Sequence, residues 1–586
     1  MDRRTSLLDF PERLDRWRRF LPYALLLSVT GALYGSSLYF DFVWDDIPYI
    51  ADNTRIHGLS PQHLRMIWAS PYFGHYAPIH QMFLAGIYFF SGLEPLGYHL
   101  GQLLVHSACV GLLYFVLRKI ESARVAFLAT LLFAVYPPNI ETVAWISETK
   151  STLAFLFFLI SFWTFLRFRE SGPRWMGIWC AVFFLLSLLA KVSTIVAPAI
   201  FLLYDYKEGW LNRKNARSLA AFFLLGALFA VIHLGSFFES REDLVTSYYG
   251  GPLVHLQNIP RFVLYYIGMV VLPHPLSAWQ MFDIYKEFNW VVGVSWLALL
   301  ALAWILYRSN RSIQFWGLWF LMFLAPVLQV LPFQVWVADR YLYMPAIGPF
   351  VMGSKLFFWM GDRYAKPWQS MARVAAMAGI LVAFGWHTHS HLPVWRNNLV
   401  LWEVTTKTCM ASAPCHANLG SALLRSGEIV PGVKELIRAI EIQPLPGYLL
   451  ILGDAYALYV RDYRQALLAY DEVRKKGVPR TAGFYARIAR AHLLAGHWDE
   501  AAQALQEAKR LNPNDPGTAV VDSFLQWKLG NWEAARGSLE KALTESGQTS
   551  HPAGYIYLMW RDAGEVGRLL SDLRSSSTPS GDRGAH

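Results

Sequence analysis

The chain has 586 residues, of which 54% are hydrophobic and 16% charged, and its formal net charge is +10. That composition excludes an ordinary soluble protein, and four cysteines are too few for a disulfide scaffold. The excess positive charge does not read as a nucleic-acid footprint, because it sits in clusters such as RLDRWRRF and NRKNARS beside apolar runs, where it orients a chain in a membrane.

Arg3, Arg4, Arg13, Arg16, Arg18 and Arg19 precede the first apolar run, PYALLLSVTGALYGSSLYF. The run is long for the core of a cleaved signal, so it reads as a retained span with a cytoplasmic N-terminus. Spans are expected near 21–40, 97–117, 122–136, 145–168, 173–190, 193–205, 217–236, 289–307, 313–331, 341–358 and 370–388. The loops at 117–120 (LRKI), 167–174 (RFRESGPR), 205–217, 307–312 (YRSNRS) and 354–366 are basic and fall inside. The alternation works only if 254–273 adds no net crossing, so this run is taken as re-entrant or surface-lying. The first outer loop, 41–96, contains SPQHLRMIWASPYF, which suits a short amphipathic helix, and IHQMFLAGIYFF, expected to lie along the membrane.

From Trp395 the pattern changes to helical hairpins. LLAGHWDEAAQALQEAKRLNPNDPGTA (493–519) reads as a tetratricopeptide phrase, and KLGNWEAARGSLEKAL (528–543) repeats it. Trp498 and Trp532 are 34 residues apart, the period of that repeat. YVRDYRQALLAYDEVRKKGVP (459–479) and CHANLGSALLRSGEI (415–429) extend the series to three or four units. The expected division is a membrane domain at 1–392, repeats at 393–574 and a polar tail at 575–586. The repeats emerge on the outer side, where they would bind an acceptor polypeptide or partner protein, or cap the membrane domain. Cys409 and Cys415 can pair if that segment is exported, whereas Cys109 and Cys180 lie in apolar runs.

Four unusual polar stretches fall in outer loops: Asp45-Asp46 in FDFVWDDIPYI, His75 to His80 in HYAPIH, Asn139 to Glu141 in PPNIE, and Asp339-Arg340 in ADRYLYMP. A transferase working at that face needs a carboxylate to take a proton from a hydroxyl and a cation or metal to stabilise a departing phosphate. Asp45 or Asp46 can meet the first need and Arg340 the second. Each has a plainer alternative: a solvated loop for the acid pair, a structural ion pair for Asp339-Arg340, a helix-start acid for Glu141. His75 and His80 are spaced poorly for a helix-borne metal site. Lys150 and Lys191, near the starts of apolar runs, can snorkel to the interface, and Lys191 also suits an anionic lipid phosphate. There is no glycine-rich phosphate loop, no HExxH and no cysteine-based metal cluster.

The chain resembles the membrane glycosyltransferases of the GT-C type, closest to the TMTC-type protein O-mannosyltransferases and bacterial tetratricopeptide-bearing relatives. The resemblance is carried by VWDD (43–46), HYAPIHQMF (75–83), SGLEPLGYHLGQLLVH (91–106) and LLFAVYPPNIETVAWISETKSTLAFLFFLISF (131–162). It continues through LLAKVSTIVAPAIFLLYD (188–205), VADRYLYMPAIG (337–348) and VWRNNLVLWEVTTKTCMASAPCHANLGSALLRSG (394–427). It implies an all-α protein, a polytopic membrane bundle of the GT-C type followed by a tetratricopeptide-like solenoid. It also implies transfer of a sugar from a polyprenyl-phosphate-linked donor to a protein or other acceptor on the outer or lumenal face. The membrane is expected to be a bacterial inner membrane, or that of the endoplasmic reticulum in a eukaryote. The catalytic set implied is Asp45, Asp46 and Glu141. Asp45 or Asp46 would serve as base or organise a divalent cation, Mg2+ or Mn2+. The donor phosphate would meet Arg340, Lys191, His80, Tyr76 and Lys150, with Asp339, His75 and Tyr341 beside them. Two departures from the family pattern leave donor and acceptor open: Val192 follows Lys191 where the family has Glu, and Ala77 follows Tyr76 where it has Arg. The competing expectations are a membrane-anchored assembly platform without catalysis and a transporter of lipid-linked sugars. The second would place polar residues near the bilayer midplane.

Overall fold

The computed structural model describes residues 10–170, 172–239, 251–330, 335–363, 366–476 and 481–545. Arg3, Arg4 and the expected tail at 575–586 lie outside them. Among the described residues the named elements are all helical, and one isolated β-bridge joins Tyr72 to His75. The chain divides into two compact units, 1–46 with 65–397, and 47–64 with 398–586.

Among the described residues six helical segments of the first unit are long and apolar enough to cross a membrane: Phe20–Tyr39, Pro95–Ile120, Ile146–Arg169, Arg213–Gly235, Trp290–Arg308 and Pro367–Trp395. The protein is therefore a multi-pass membrane protein. Ala123–Val135 and Trp175–Ala190 are shorter apolar helices. Helices at Ala197–Lys207, Arg311–Leu324 and Ile347–Arg363 fall on the remaining expected spans. Ile146–Arg169 is the central element, with 67% of its apolar window buried, against 6% for Pro367–Trp395. The difference follows from side-chain bulk on the central helix. Phe158 and Phe162 meet Phe201, Trp319 and each other, and Phe165 stacks on Phe201 at 4.6 Å. The peripheral helices are apolar all round, the pattern of helices that face lipid.

The two ends of this bundle differ in chemistry. At one end, Glu121 accepts from Trp316 Nε1 at 2.8 Å and from Lys355 Nζ at 2.7 Å. Arg169 makes a two-pronged contact with Asp205 at 2.9 and 2.7 Å, and Tyr206 donates to Gln314 at 2.9 Å. These contacts gather the basic loops that the sequence places inside. Glu148 and Arg169 flank and close the 21-residue helix Thr149–Arg169, so they are separated by about 31 Å. The acid-bearing loops meet at the Glu148 end.

The structure defines two features of the first loop. IHQMFLAGIYFF forms the helix Pro78–Ser91, which packs against Pro95–Ile120 and Trp175–Ala190 as part of the bundle, burying His80, Gln81, Leu84 and Ala85. The loop 41–96 is also not one piece, because 47–64 belongs to the second unit. The amphipathic stretch is a helix at Pro61–Ala69. The ambiguous run at 254–273 is the helix Pro252–Val271, which buries a mixed face of His255, Asn258, Phe262, Val263, Tyr266 and Met269.

Among the described residues of the second unit, four helical hairpins follow the helix Asn398–Thr408. They pair Ala413–Ser426 with Ile429–Ile442, Pro446–Ala455 with Tyr463–Lys475, Ala482–Leu494 with Trp498–Leu511, and Pro516–Lys528 with Trp532–Glu545. Gly420 and Gly432 let the first pair approach closely: a Cβ on Gly420 would stand 2.8 Å from the Gly432 carbonyl oxygen. Asp454 ties neighbouring hairpins, accepting from Tyr470 at 2.7 Å and from Arg487 at 3.1 Å, with Arg490 in salt-bridge contact. Cys409, just after Asn398–Thr408, and Cys415, in Ala413–Ser426, are joined as a disulfide.

Candidate active site

The acid pair follows the first helix, and its two members are held differently. Asp46 is fully buried. Its Oδ1 accepts from the Ser147 backbone N–H at 2.7 Å and from the Ser147 hydroxyl at 2.6 Å, and its Oδ2 accepts from the Val43 N–H at 3.1 Å. Burial pushes its carboxyl up to about 7, against the pull of those three donors. Asp45 is half-buried. Burial raises its pKa, and the charges of Lys150 and Arg340 oppose that rise. Asp46 is committed to the loop, whereas Asp45 lies within electrostatic reach of Lys150 and Arg340.

The turn that separates the two roles is strained. Trp44 has φ 51°, the left-handed region that costs a non-glycine residue roughly 1–2 kcal/mol. Its indole stacks on Trp145 with centroids 4.5 Å apart and planes 6° apart, which fixes that conformation.

Glu141 lies in the short helix Asn139–Ala144, set up by Pro137 and Pro138 before it. It grips Arg340 twice: its Oε2 accepts from the Arg340 backbone N–H at 2.7 Å, and its Oε1 accepts from the guanidinium. The Arg340 guanidinium stands 5.3 Å from the Trp145 ring, 5.9 Å from Trp44 and 5.0 Å from Tyr341. Asp339 turns the other way, accepting from Ser277 N–H at 3.2 Å and Gln280 Nε2 at 3.0 Å. It fastens the loop after Val271 to the Arg340 turn, and burial together with the Glu141 charge holds its pKa far above the usual range.

Lys191 and Lys150 come to the same place through a carboxylate that the sequence reading did not single out. Glu148 Oε2 is 2.9 Å from Lys191 Nζ, and its Oε1 is 3.7 Å from both Lys150 Nζ and Arg340 Nε. Ser151 donates to Glu148 and accepts from Lys191 at 2.7 Å. The signal was present in ISETK: an acid at the head of an apolar run is costly without partners. Ser147, Trp145, Ser277 and Gln280 carried no comparable signal.

The remaining candidates are less directly engaged. His80 is fully buried, and burial, reinforced by the nearby Lys150 charge, pushes its imidazole down to about 3, so it is neutral. His75 is exposed and stacks on His233, with centroids 5.6 Å apart. Tyr76 donates to the Trp68 carbonyl at 3.1 Å and lines an apolar cavity with Trp68, Pro71, Val231 and Ile232. The described residues contain no group of three or more His, Cys, Asp or Glu side chains arranged to hold a metal ion. Asp46 spends both oxygens on protein donors. Asp46 is therefore poorly placed to ligate a divalent cation, and no step is routed through one.

One membrane end thus carries a half-buried carboxylate within electrostatic reach of a knot of cations, on a multi-pass helical protein with a helical-hairpin array. Residues 452–516 match the tetratricopeptide repeat family model. The chain's homologues are TMTC-type protein O-mannosyl-transferases. It is 22% identical to Protein O-mannosyl-transferase F38B6.6 of Caenorhabditis elegans over 460 residues, 74% of this chain and 64% of that protein. It is 25% identical to Protein O-mannosyl-transferase TMTC4 of Mus musculus over 476 residues, 67% of this chain and 63% of that protein. Identity reaches 28% with mouse Protein O-mannosyl-transferase TMTC3, over 30% of this chain and 20% of that protein. The chain spans less than two thirds of each of these relatives.

Proposed function

We propose that the protein is an integral membrane glycosyltransferase of the GT-C type. It moves a sugar from a polyprenyl-phosphate-linked donor to a protein hydroxyl on the extracytoplasmic face. The observation that carries this is that Asp45 lies within electrostatic reach of Lys150 and Arg340, which Glu148 joins to Lys191 at the same end of the bundle. Asp45 takes the proton of the acceptor hydroxyl as its oxygen bonds to the anomeric carbon. The bond from that carbon to the phosphate oxygen breaks, and the electron pair stays on the phosphate. Arg340 offers a fixed fork of N–H donors to that oxygen, and the lysines add charge where negative charge develops. Mannose is the sugar to test first, since the relatives are named as mannosyl-transferases.

The repeats are proposed to lie on the extracytoplasmic side and to present the acceptor polypeptide or a partner. The alternation of basic loops supports that side, and so does the Cys409–Cys415 disulfide, a bond that persists in oxidising compartments. To test the activity, the purified full chain in detergent is incubated with polyprenyl-phosphate mannose and other polyprenyl-phosphate sugars plus a lysate of acceptors. Mass spectrometry should find added hexose on polypeptides. Absence of any donor-dependent mass addition, with monodisperse protein, would overturn the proposal.

A further inference from the structure

Glu148 has no part in proton or sugar transfer as described, yet its carboxylate is where the cations of the site converge. Its side chain is 3% exposed, Lys150 is 8%, Arg340 9% and Lys191 23%. A carboxylate at the head of an apolar helix is expensive unless paired, and three cations crowded together repel one another unless an anion sits among them. Glu148 solves both problems at once. Its Oε2 holds Lys191 at 2.9 Å, and its Oε1 lies 3.7 Å from both Lys150 and Arg340.

We propose that Glu148 is a positioning residue that acts through these cations: it holds them in place for the donor and, by partly neutralising them, lets the product phosphate leave. The inference rests on the transferase reading above. In that reaction the donor is a phosphodiester with one negative charge. Once its bond to the anomeric carbon has broken and the acceptor proton has gone to Asp45, the leaving group is a phosphate monoester of charge near −1.5 to −2. The cations therefore attract the product more strongly than the donor. Arg340 keeps Glu141 as a partner, but two lysines left uncompensated beside it would capture the donor and then stay occupied. Glu148 competes with the product for the same lysines. Lys191 is the most exposed of the three and is supported from the side by Ser151 at 2.7 Å, so it is the one best placed to exchange Glu148 for phosphate and return.

The test compares full-length parent and Glu148→Gln, which keeps the shape and removes the charge. Binding of polyprenyl monophosphate in detergent and steady-state transfer are both measured. Glu148→Gln should bind polyprenyl monophosphate about tenfold tighter or more, as expected for one charge removed beside a buried anion site. Its kcat should fall by a similar factor while the donor KM falls or stays constant. A merely structural role would weaken binding and raise KM. Unchanged or weaker product binding overturns the proposal. Should Glu148→Gln fail to fold, Lys191→Gln is compared with the neutral double variant Glu148→Gln/Lys191→Gln. The single variant should bind product more weakly and the double should regain affinity; equal affinities overturn the proposal. A parent that binds polyprenyl monophosphate but transfers no sugar sinks the transferase reading while the binding comparison still decides Glu148. A parent that binds none overturns the inference itself.

Discussion

Asp46 and Ser147 are 101 residues apart in sequence and joined by two hydrogen bonds, 2.7 Å from the backbone N–H and 2.6 Å from the hydroxyl, to the same carboxylate oxygen. The bond pins the loop after the first helix to the head of the central helix. Asp46→Ala leaves three buried donors unsatisfied, at roughly 1–3 kcal/mol each before relaxation, so a loss on the order of 3 kcal/mol is expected. Asp45→Asn removes a charge within electrostatic reach of the cations and should melt like the parent while losing about a hundredfold or more in transfer rate. Melting and transfer measured on both variants separate the roles. An active, parental-melting Asp46→Ala, or an active Asp45→Asn, contradicts this division.

The pH profile offers a second check. A base must be ionised, so kcat/KM should rise with pH through the Asp45 carboxyl pKa. Burial raises that pKa above 3.8, and Lys150 and Arg340 pull it back. The acid limb should therefore lie above the ordinary carboxylate range. Lys150→Met removes a cation that favours the ionised form, so the limb should move to higher pH. A limb that stays in place in Lys150→Met would remove Asp45 from the role of base.

Much of the site was legible because charge is rare in an apolar chain. Asp45-Asp46, Glu141, Lys191 and Arg340 stood out for that reason, and the fold brings Asp45, Glu141, Lys191 and Arg340 to one membrane end. Sequence could not choose between Asp45 and Asp46, since adjacent identical residues differ only in which way the backbone turns. In the structure the two differ through the Trp44 turn and the bond to Ser147, and Ser147 is an ordinary residue type far along the chain. Glu148 did not stand out because its partners come from separate segments. The repeats declared themselves through the 34-residue spacing of Trp498 and Trp532. Segment 47–64, which shares their compact unit, has no such period to mark it as part of that unit.

Arg340→Lys tests the fork. Glu141 holds both the backbone N–H and the guanidinium of Arg340, and Trp145 lies 5.3 Å from it. Lysine keeps the charge but supplies neither the fork nor the planar stack. The backbone hydrogen bond to Glu141 survives, so the protein should still fold. Donor KM should rise about tenfold, equivalent to roughly 1.4 kcal/mol, with a further loss in kcat. Parental kinetics with the lipid-linked donor would show that the phosphate does not meet Arg340.

The last prediction concerns which side of the membrane the repeats occupy. Basic residues end the helices Pro95–Ile120, Thr149–Arg169 and Trp290–Arg308, and the loops after the first two meet the basic segments that follow them in the bundle. That gathers positive charge at the end remote from Asp45, and since positive loops tend to stay cytoplasmic, Asp45 is expected on the outer face. The Cys409–Cys415 disulfide begins the repeat unit and points to the same compartment. Gln503 is exposed on the helix Trp498–Leu511, away from the packed face of Ala501, Ala504 and Leu505. Gln503→Cys is made in a background with Cys409 and Cys415 replaced by Ser; Cys109 and Cys180 are buried and should not react. Removing the disulfide costs about 2–3 kcal/mol, so melting is checked first. A membrane-impermeant maleimide added to intact cells should then label the Gln503→Cys protein. Labelling that appears only after the membrane is permeabilised would put the repeats in the cytoplasm, and with them the whole assignment of outer and inner loops would have to be inverted.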